Sequence, residues 1–268
     1  MGGQCSTVAR QGVPTVAEVA PLLELRGVSK VFGAVQALNK VNLSVPPGKV
    51  TALVGDNGAG KSVTIKTISG LWPPTEGQIL WEGAPAHIHS PNDAEARGIT
   101  TIYQDLALCD NLDIVQNMFL GHEKKRFGLL DESAMEIEAR KTLADLHVTT
   151  VRSIRQPVAS LSGGQRQSVA VAKAVMSAAK LVIMDEPTAA LGVAQTAQVL
   201  DLIKRLSSQG TAVMVVSHNL NDVFAVADQI SILYLGRLVA QGPASDFDTQ
   251  VVVEYMTTGQ SSRNEATG

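Results

Sequence analysis

The octapeptide Gly55-Asp56-Asn57-Gly58-Ala59-Gly60-Lys61-Ser62 constrains this chain more than any other stretch. It fits the spacing G-x-x-x-x-G-K-[ST] and follows the apolar run Val50-Thr51-Ala52-Leu53-Val54. A strand that ends in such a loop and passes into a helix lets backbone N–H groups turn inward and cradle a phosphate. The glycines permit the backbone angles, and a helix starting near Gly60 puts the positive end of its dipole at the loop. In that geometry Lys61 reaches the outer phosphates and the Ser62 hydroxyl is a ligand for Mg²⁺. Four fixed positions recur by accident about once per hundred chains of this length at ordinary residue usage. The spacing alone therefore leaves open a glycine turn beside a solvated lysine, and the rest of the chain has to decide.

Composition narrows the class. With 268 residues, 45% hydrophobic and 18% charged, the chain can bury a full core. Lys and Arg number 22 against 25 Asp and Glu, a net charge of -3 that gives no electrostatic footprint for nucleic acid, and no nucleic-acid partner is expected. Lys173 and Lys180 interrupt the longest apolar stretch, from Val169 to Met184, which falls short of the ~18 residues of a membrane span. Cys5 and Cys109 lack metal spacing, and the N-terminus lacks the order of a signal peptide, which together predict a reducing, cytosolic setting. Met1-Gly2 with Ser6 satisfies the short myristoylation pattern, which acts only in cells that carry the modification.

Periodicity supplies the organisation. Residues 1–20 read as a flexible tail, and the fold is expected to start at Pro21. Leu22-Leu23-Glu24-Leu25 and the alternating Val41-Asn42-Leu43-Ser44-Val45 predict half-buried strands of a small antiparallel layer. Ile65, Ile68 and Leu71 make a helical stripe, Gln78-Ile79-Leu80-Trp81 is one arm of a hairpin, and Ile99 to Tyr103 is a strand that delivers Gln104 to a loop. His87 and His89 would share a strand face, as a metal pair or as a solvated one.

From 105 to 160 the pattern predicts an all-helical insertion: Ile114, Val115, Met118 and Phe119 on one stripe, and Met135, Ala139, Leu143 and Leu146 on another capped by Asp131 or Ser133. Lys124-Lys125-Arg126 reads as a solvated helix end. Leu181 to Met184 and Ala212 to Val216 are apolar without alternation, the mark of parallel strands covered on both faces. Val193, Ala197, Leu200, Ile203 and Leu206 form the stripe of the helix between them, closed by Gly210, and Ile230 to Ala240 is a final hairpin turning at Gly236.

Four further sites carry chemistry. Leu161-Ser162-Gly163-Gly164-Gln165 opens a helix and is either a second anion site or a plain N-cap. The strand ending at Asp185 leads into Glu186 and Pro187, so its carboxylates either stand at the sheet edge, where one can hold Mg²⁺ and the other polarise a water, or form an exposed acidic turn. His218 ends the next strand, as a donor to a phosphate or a packed bystander. Phe32 is either an adenine-stacking ring or a core side chain.

Taken in order, the phosphate loop, Gln104, Leu161 to Gln165, Asp185-Glu186 and His218 resemble the nucleotide-binding subunit of ABC transporters, over about Leu22 to Gly242. The resemblance implies an α/β fold: a P-loop NTPase (RecA-like) core, with a small antiparallel β subdomain and an inserted α-helical signalling subdomain. The chain then divides into a core over 21–104 and 161–260, the insertion over 105–160, and tails over 1–20 and 261–268. It implies ATP and Mg²⁺ as ligands. The family pattern makes Phe32 the adenine platform, Gly55 to Val63 the phosphate cradle, Gln104 a sensor of Mg²⁺ and the γ-phosphate, Glu186 the catalytic glutamate and His218 the switch histidine. In the family two subunits pair head to tail, so that Ser162, Gly163, Gly164 and Gln165 of one copy close over the ATP held by Lys61 of the other. A homodimer is therefore implied. So are a transmembrane permease docking near Leu106 to Leu120, an indirect periplasmic solute-binding partner, and a peripheral place on the cytoplasmic face of a bacterial inner membrane.

Two positions depart from the family pattern. Gly192 in Ala189-Ala190-Leu191-Gly192 lacks the usual carboxylate, and Val63 lacks a common threonine hydroxyl. The segments around Lys61, Leu106 to Gly121 and Glu186 to Gly192 look like bacterial importers of ribose, xylose, fructose and related monosaccharides. Branched-chain amino-acid importers and soluble, non-transport ABC ATPases are the alternatives.

Overall fold

The computed structural model describes residues 20–261 except Thr149, Ser177 and Ala190. The expected tails (apart from Ala20 and Ser261), the Met1-Gly2-Ser6 pattern, Cys5 and Ala190 lie outside the described residues.

Among the described residues, two sheets carry the fold. The larger has six strands in the order β12-β11-β3-β10-β9-β6. In chain order these are β3 (Val50–Gly55), β6 (Ile99–Ile102), β9 (Leu181–Asp185), β10 (Ala212–Val216), β11 (Gln229–Tyr234) and β12 (Arg237–Pro243). All neighbours pair in parallel except β12, which returns antiparallel to β11. The smaller sheet is antiparallel, in the order β2-β1-β4-β5, from β1 (Leu23–Phe32), β2 (Val35–Val45), β4 (Glu76–Trp81) and β5 (Ala84–Pro85).

The helices are α1 (Lys61–Ile68), α2 (Pro91–Glu95), α3 (Ile114–Phe119), α4 (Glu132–Asp145), α5 (Gly163–Met176), α6 (Val193–Ser208), α7 (Leu220–Val226) and α8 (Thr249–Thr258). The apolar runs of β9 and β10 lack alternation because each face meets a different core. Leu181, Ile183, Met214 and Val216 pack with Ile65 and Ile68 of α1 and with the smaller sheet. Val182, Met184, Val213 and Val215 pack with Val169, Ala172, Val199 and Ile203 of α5 and α6. Helix α1 therefore covers one face of the large sheet, and α5 and α6 the other.

Several expectations need correction. Segment 105–160 is not all helical: β7 (Lys125–Arg126) and β8 (Leu129–Leu130) form a short antiparallel ribbon. Phe127 and Gly128 between them both have positive φ, 53° and 83°, as a tight hairpin turn requires. Lys124-Lys125-Arg126 consequently leads into this ribbon rather than ending a helix, and Lys124 is ion-paired with Glu138.

Leu71 lies beyond α1 and is exposed, because Gly70 adopts a left-handed conformation (φ 77°) and breaks the period. On α6 the buried stripe is Val199, Leu202, Ile203 and Leu206, while Val193 and Ala197 face outward in the first turns, beyond the reach of the core. His87 and His89 are not in a strand, although their rings stack with centroids 6.1 Å apart. No group of three or more metal-ligating side chains occurs among the described residues.

The cap of α4 is Asp131, which accepts from the Ala134 N–H at 3.0 Å. Arg155 ties this segment together by ion pairs to Asp113, Glu132 and Glu136 at 3.2 to 3.3 Å. Its buried centre is Asn117. The side-chain oxygen accepts from the Cys109 N–H at 2.7 Å, and the amide donates to the carbonyls of Cys109, Leu112 and Asp113 at 3.0 to 3.2 Å. Removing it strands partly buried backbone groups, so Asn117→Ala is expected to lower the unfolding free energy by about 2 kcal/mol, measured by denaturant titration.

Candidate functional site

Parallel strands that share a sheet end at one edge. Val216 of β10 is level with Asp185 of β9 and Leu53 of β3, and Ile102 of β6 is level with Met184. That register brings the phosphate loop, Gln104, Asp185, Glu186 and His218 to the same rim, the usual ligand edge of such a sheet.

The loop is held by close backbone approach. A Cβ on Gly55 would stand 2.5 Å from the Leu233 carbonyl oxygen, and one on Gly60, whose φ is 106°, would stand 2.9 Å from the Leu38 side chain and 3.0 Å from the Ala37 carbonyl oxygen of β2. The Gly236 N–H donates to the Ala59 carbonyl at 2.9 Å, and the Asn39 N–H to the Gly236 carbonyl at 2.8 Å, so β2 and the β11–β12 turn clamp the loop from outside. Lys61 Nζ donates to the loop's own carbonyls, Gly55 at 2.7 Å and Asp56 at 3.1 Å. Those are weak anchors for a cation and can be exchanged for a phosphate. Ser62 is exposed at the helix start. Val63 packs toward the apolar core and has only its N–H to offer, and the Thr64 hydroxyl is turned back onto the Gly60 carbonyl.

Asp185 is half-buried, and this burial, followed by the nearby Glu186 carboxylate, pushes its carboxyl above its usual value of 3.8 despite Lys61 and Lys66. A carboxylate in that position gains from a nearby cation. Glu186 follows with φ 51°, a left-handed conformation unfavourable for a side chain bearing a Cβ. Its N–H donates to the Val216 carbonyl at 2.8 Å, and its Oε2 lies 2.8 Å from His218 Nδ1. Glu186 and His218 are thus brought together, the first mostly covered and the second 69% exposed. Gln104 is exposed just past β6.

Ser162 and Gln165 cap α5 reciprocally: the Ser162 N–H donates to Gln165 Oε1 at 2.9 Å and the Gln165 N–H to Ser162 Oγ at 3.4 Å. Gly163 and Gly164 have a packing reason as well, since a Cβ would stand 2.8 Å from Leu191 and 3.1 Å from Gln195. The start of α5 therefore lies against α6, on the face of the sheet opposite α1. Gly192 caps α6 without a side chain, its N–H donating to Gln195 Oε1 at 3.4 Å. A glycine there costs a helix only a few tenths of a kcal/mol relative to a polar cap.

Two participants escaped sequence reasoning. Buried Asp222 on α7 accepts from the Thr188 hydroxyl at 2.6 Å and fixes the turn after Glu186. Trp72 meets the Phe32 ring edge-on, with centroids 5.0 Å apart. Neither lies in a motif; Trp72 could have been noticed as one of only two tryptophans. Beside the rim, a groove of about 670 Å³ runs between segment 106–119 and α5, lined by Ile102, Leu106, Met118, Phe119, Ala170 and Met176 among others.

A family model described as ABC transporter matches residues 38–189. The fructose import ATP-binding protein FrcA of Rhizobium meliloti is 45% identical over 253 residues, 92% of this chain and 97% of that protein. The xylose/arabinose import ATP-binding protein XylG of Sulfolobus acidocaldarius is 43% identical over 90% of this chain and 95% of its own length. The ribose import ATP-binding protein RbsA 1 of Agrobacterium fabrum is 40% identical over 88% of this chain but only 46% of its own length, so the chain spans about half of that relative.

Among solved structures, a nucleotide-free ATP-binding cassette from an ABC transporter superposes with TM-score 0.76 at 25% identity, covering 88% of this chain and 98% of that one. A dimeric post-hydrolysis cassette bound to ADP and Pi gives 0.69 at 25% identity, covering 83% and 98%. The order of motifs along the chain, the rim on which the sheet gathers them and these matches agree: the chain belongs to the ABC transporter family, as one of its ATP-hydrolysing cassettes.

Proposed function

We propose that this chain powers the import of a monosaccharide, by hydrolysing ATP between two copies of itself set head to tail against a membrane permease. One observation carries the pairing. The phosphate loop with α1 and the Ser162 segment at the start of α5 lie on opposite faces of one sheet. Helix starts on opposite faces do not converge on one phosphate, whereas a two-fold pair sets the loop of each copy against Ser162, Gly163 and Gly164 of the other. A dimer is also what one structural relative forms.

In this reading Phe32 stacks on adenine, and the N–H groups from Gly55 to Val63 hold the phosphates. Lys61 moves from the Gly55 and Asp56 carbonyls to the β- and γ-phosphates. Ser62, Gln104 and Asp185 would hold Mg²⁺, whose chemistry is to neutralise charge on the phosphate oxygens. Glu186 accepts a proton from, and orients, the attacking water, and His218, bonded to it, faces the γ-phosphate. Gln165, at the start of α5, keeps the capping turn that presents Ser162.

The sugar assignment rests on the import names of the two relatives matched along nearly their whole length. Docking of a permease helix is supported by the groove beside Leu106 and Phe119. No helix among the described residues is long and apolar enough to cross a membrane, so the membrane passage is assigned to that partner, with this chain peripheral on the cytoplasmic face of the inner membrane. A periplasmic solute-binding protein would join the assembly through the permease.

Purification of the tagged protein from its native membranes in mild detergent should bring down a polytopic permease together with a sugar-binding protein; recovery with ribosomes or DNA instead overturns the importer reading. Glu186→Gln should retain ATP binding, lose at least a hundredfold in hydrolysis rate and accumulate as an ATP-bound dimer on size-exclusion chromatography, because the amide cannot take the proton.

For Asp185 the sign follows from its raised carboxyl. The folded state binds the proton more tightly, so stability falls as pH rises from the unfolded value to the raised folded one and stays lower above it. Asp185→Asn is therefore expected to raise the nucleotide-free Tm at pH 7 and above. The advantage should vanish below about pH 3.9, and Mg²⁺-dependent hydrolysis should be lost at every pH.

A further inference from the structure

The face that is to receive the base carries a second aromatic ring. Phe32 ends β1 and is 39% exposed, and on its own strand the ring meets the flexible Lys30 side chain, whose ammonium stands 5.1 Å from the ring centre. Trp72, half-buried beyond α1, meets it at 5.0 Å between centroids and 75° between planes, the edge-to-face arrangement that aromatic rings prefer. The Lys66 ammonium stands 4.4 Å from the centre of the Trp72 ring, and the Trp72 N–H donates to the Lys66 carbonyl at 3.0 Å. Lys66 belongs to α1, the helix whose first residues are Lys61 and Ser62.

The chain just after Trp72 is also sewn to β1. Lys30 Nζ donates to the Pro73 carbonyl at 2.7 Å, the Val31 N–H to Thr75 Oγ1 at 3.1 Å and the Thr75 N–H to the Ser29 carbonyl at 2.8 Å. A continuous set of contacts thus runs from the phosphate-binding helix through Lys66 and Trp72 to Phe32.

We infer that Trp72 is a positioning residue for nucleotide binding: it holds the Phe32 ring at a fixed place relative to the phosphate loop, so that base and triphosphate are met by one pre-formed surface. The inference rests on the reading of Phe32 as the adenine platform. A ring on an exposed hairpin without a rigid neighbour has to be ordered when the base arrives, and a ring already locked has lost that freedom before binding. The gain falls only on ligands that have a base.

The test uses the full-length protein, with ATP and inorganic tripolyphosphate as probes in equilibrium titrations with Mg²⁺. Trp72→Leu should weaken ATP about three- to tenfold, the size of one aromatic pair. Tripolyphosphate affinity and kcat at saturating ATP should stay unchanged, and Trp72→Phe should restore most of the loss. In a Phe32→Ala background Trp72→Leu should have little further effect.

Weakening of ATP and tripolyphosphate alike would overturn the inference, because Trp72 would then act through α1 on the phosphate loop. If Phe32→Ala weakens ATP while Trp72→Leu does not, the adenine platform stands and the positioning role fails. If neither substitution changes ATP affinity, the platform reading fails as well. Trp72→Gln, with no apolar side chain to repack, gives the same comparison should the leucine variant fold poorly.

Discussion

Lateral hydrogen bonding among five parallel strands is the constraint on which this molecule depends. Because β11, β3, β10, β9 and β6 run in one direction, their loops leave from one rim, and side chains far apart in sequence meet there without any contact having to be designed between them. Parallel strands need helical crossovers, which cover both faces and make Leu181 to Met184 and Ala212 to Val216 apolar throughout. The same buried strands give the rim its rigidity, so that Glu186 can be kept in a left-handed conformation by backbone bonds to Val216 and Ala189.

Burial on two faces also divides the chemistry. Helix α1 presents its first turn on one side of the sheet, and α5 and α6 present theirs on the other, with Gly163 and Gly164 shaped by contact with Leu191 and Gln195. The two helix starts of one copy therefore lie on opposite faces of the sheet, as the two half-sites of the proposed assembly. In the proposed assembly this separation couples association to nucleotide, since neither half-site is complete until a second copy supplies the other. In that assembly the glycines of the Ser162 segment would serve both roles, because close helix packing and close approach to a phosphate make the same demand for a missing Cβ.

Electrostatics at the rim are arranged for a partner. Lys61 is held by the loop's own carbonyls, Asp185 carries a carboxyl that burial pushes up, and Glu186 is bonded to an exposed histidine. None of these is the arrangement that would maximise the stability of the chain alone. A half-buried carboxylate destabilises a fold until a cation meets it, and a lysine bonded to neutral carbonyls gains when a phosphate replaces them.

Much of this was legible in the sequence for a physical reason: each signal was local. The spacing from Gly55 to Ser62, the unalternated runs of β9 and β10, the stripe from Met135 to Leu146 and the carboxylates after Met184 all report on a single element and its own burial. Errors fell where local pattern is weak or competes with a turn. The ribbon around Phe127-Gly128 is too short to have a period, Gly70 ended α1 before Leu71, and Val193 met solvent because the first turns of α6 project beyond the core. By itself the sequence determined where the glycine-rich loop passes into a helix, which strands are buried and where the carboxylates sit along the chain, because those depend on spacing and hydrophobicity over a few residues. Only the tertiary structure decided that Trp72 meets Phe32, that Asp222 fixes Thr188, that Glu186 bonds His218 and that Ser162 stands on the face away from Lys61. Those relations join segments tens of residues apart, and they are set by strand order and by which face of the sheet each helix covers.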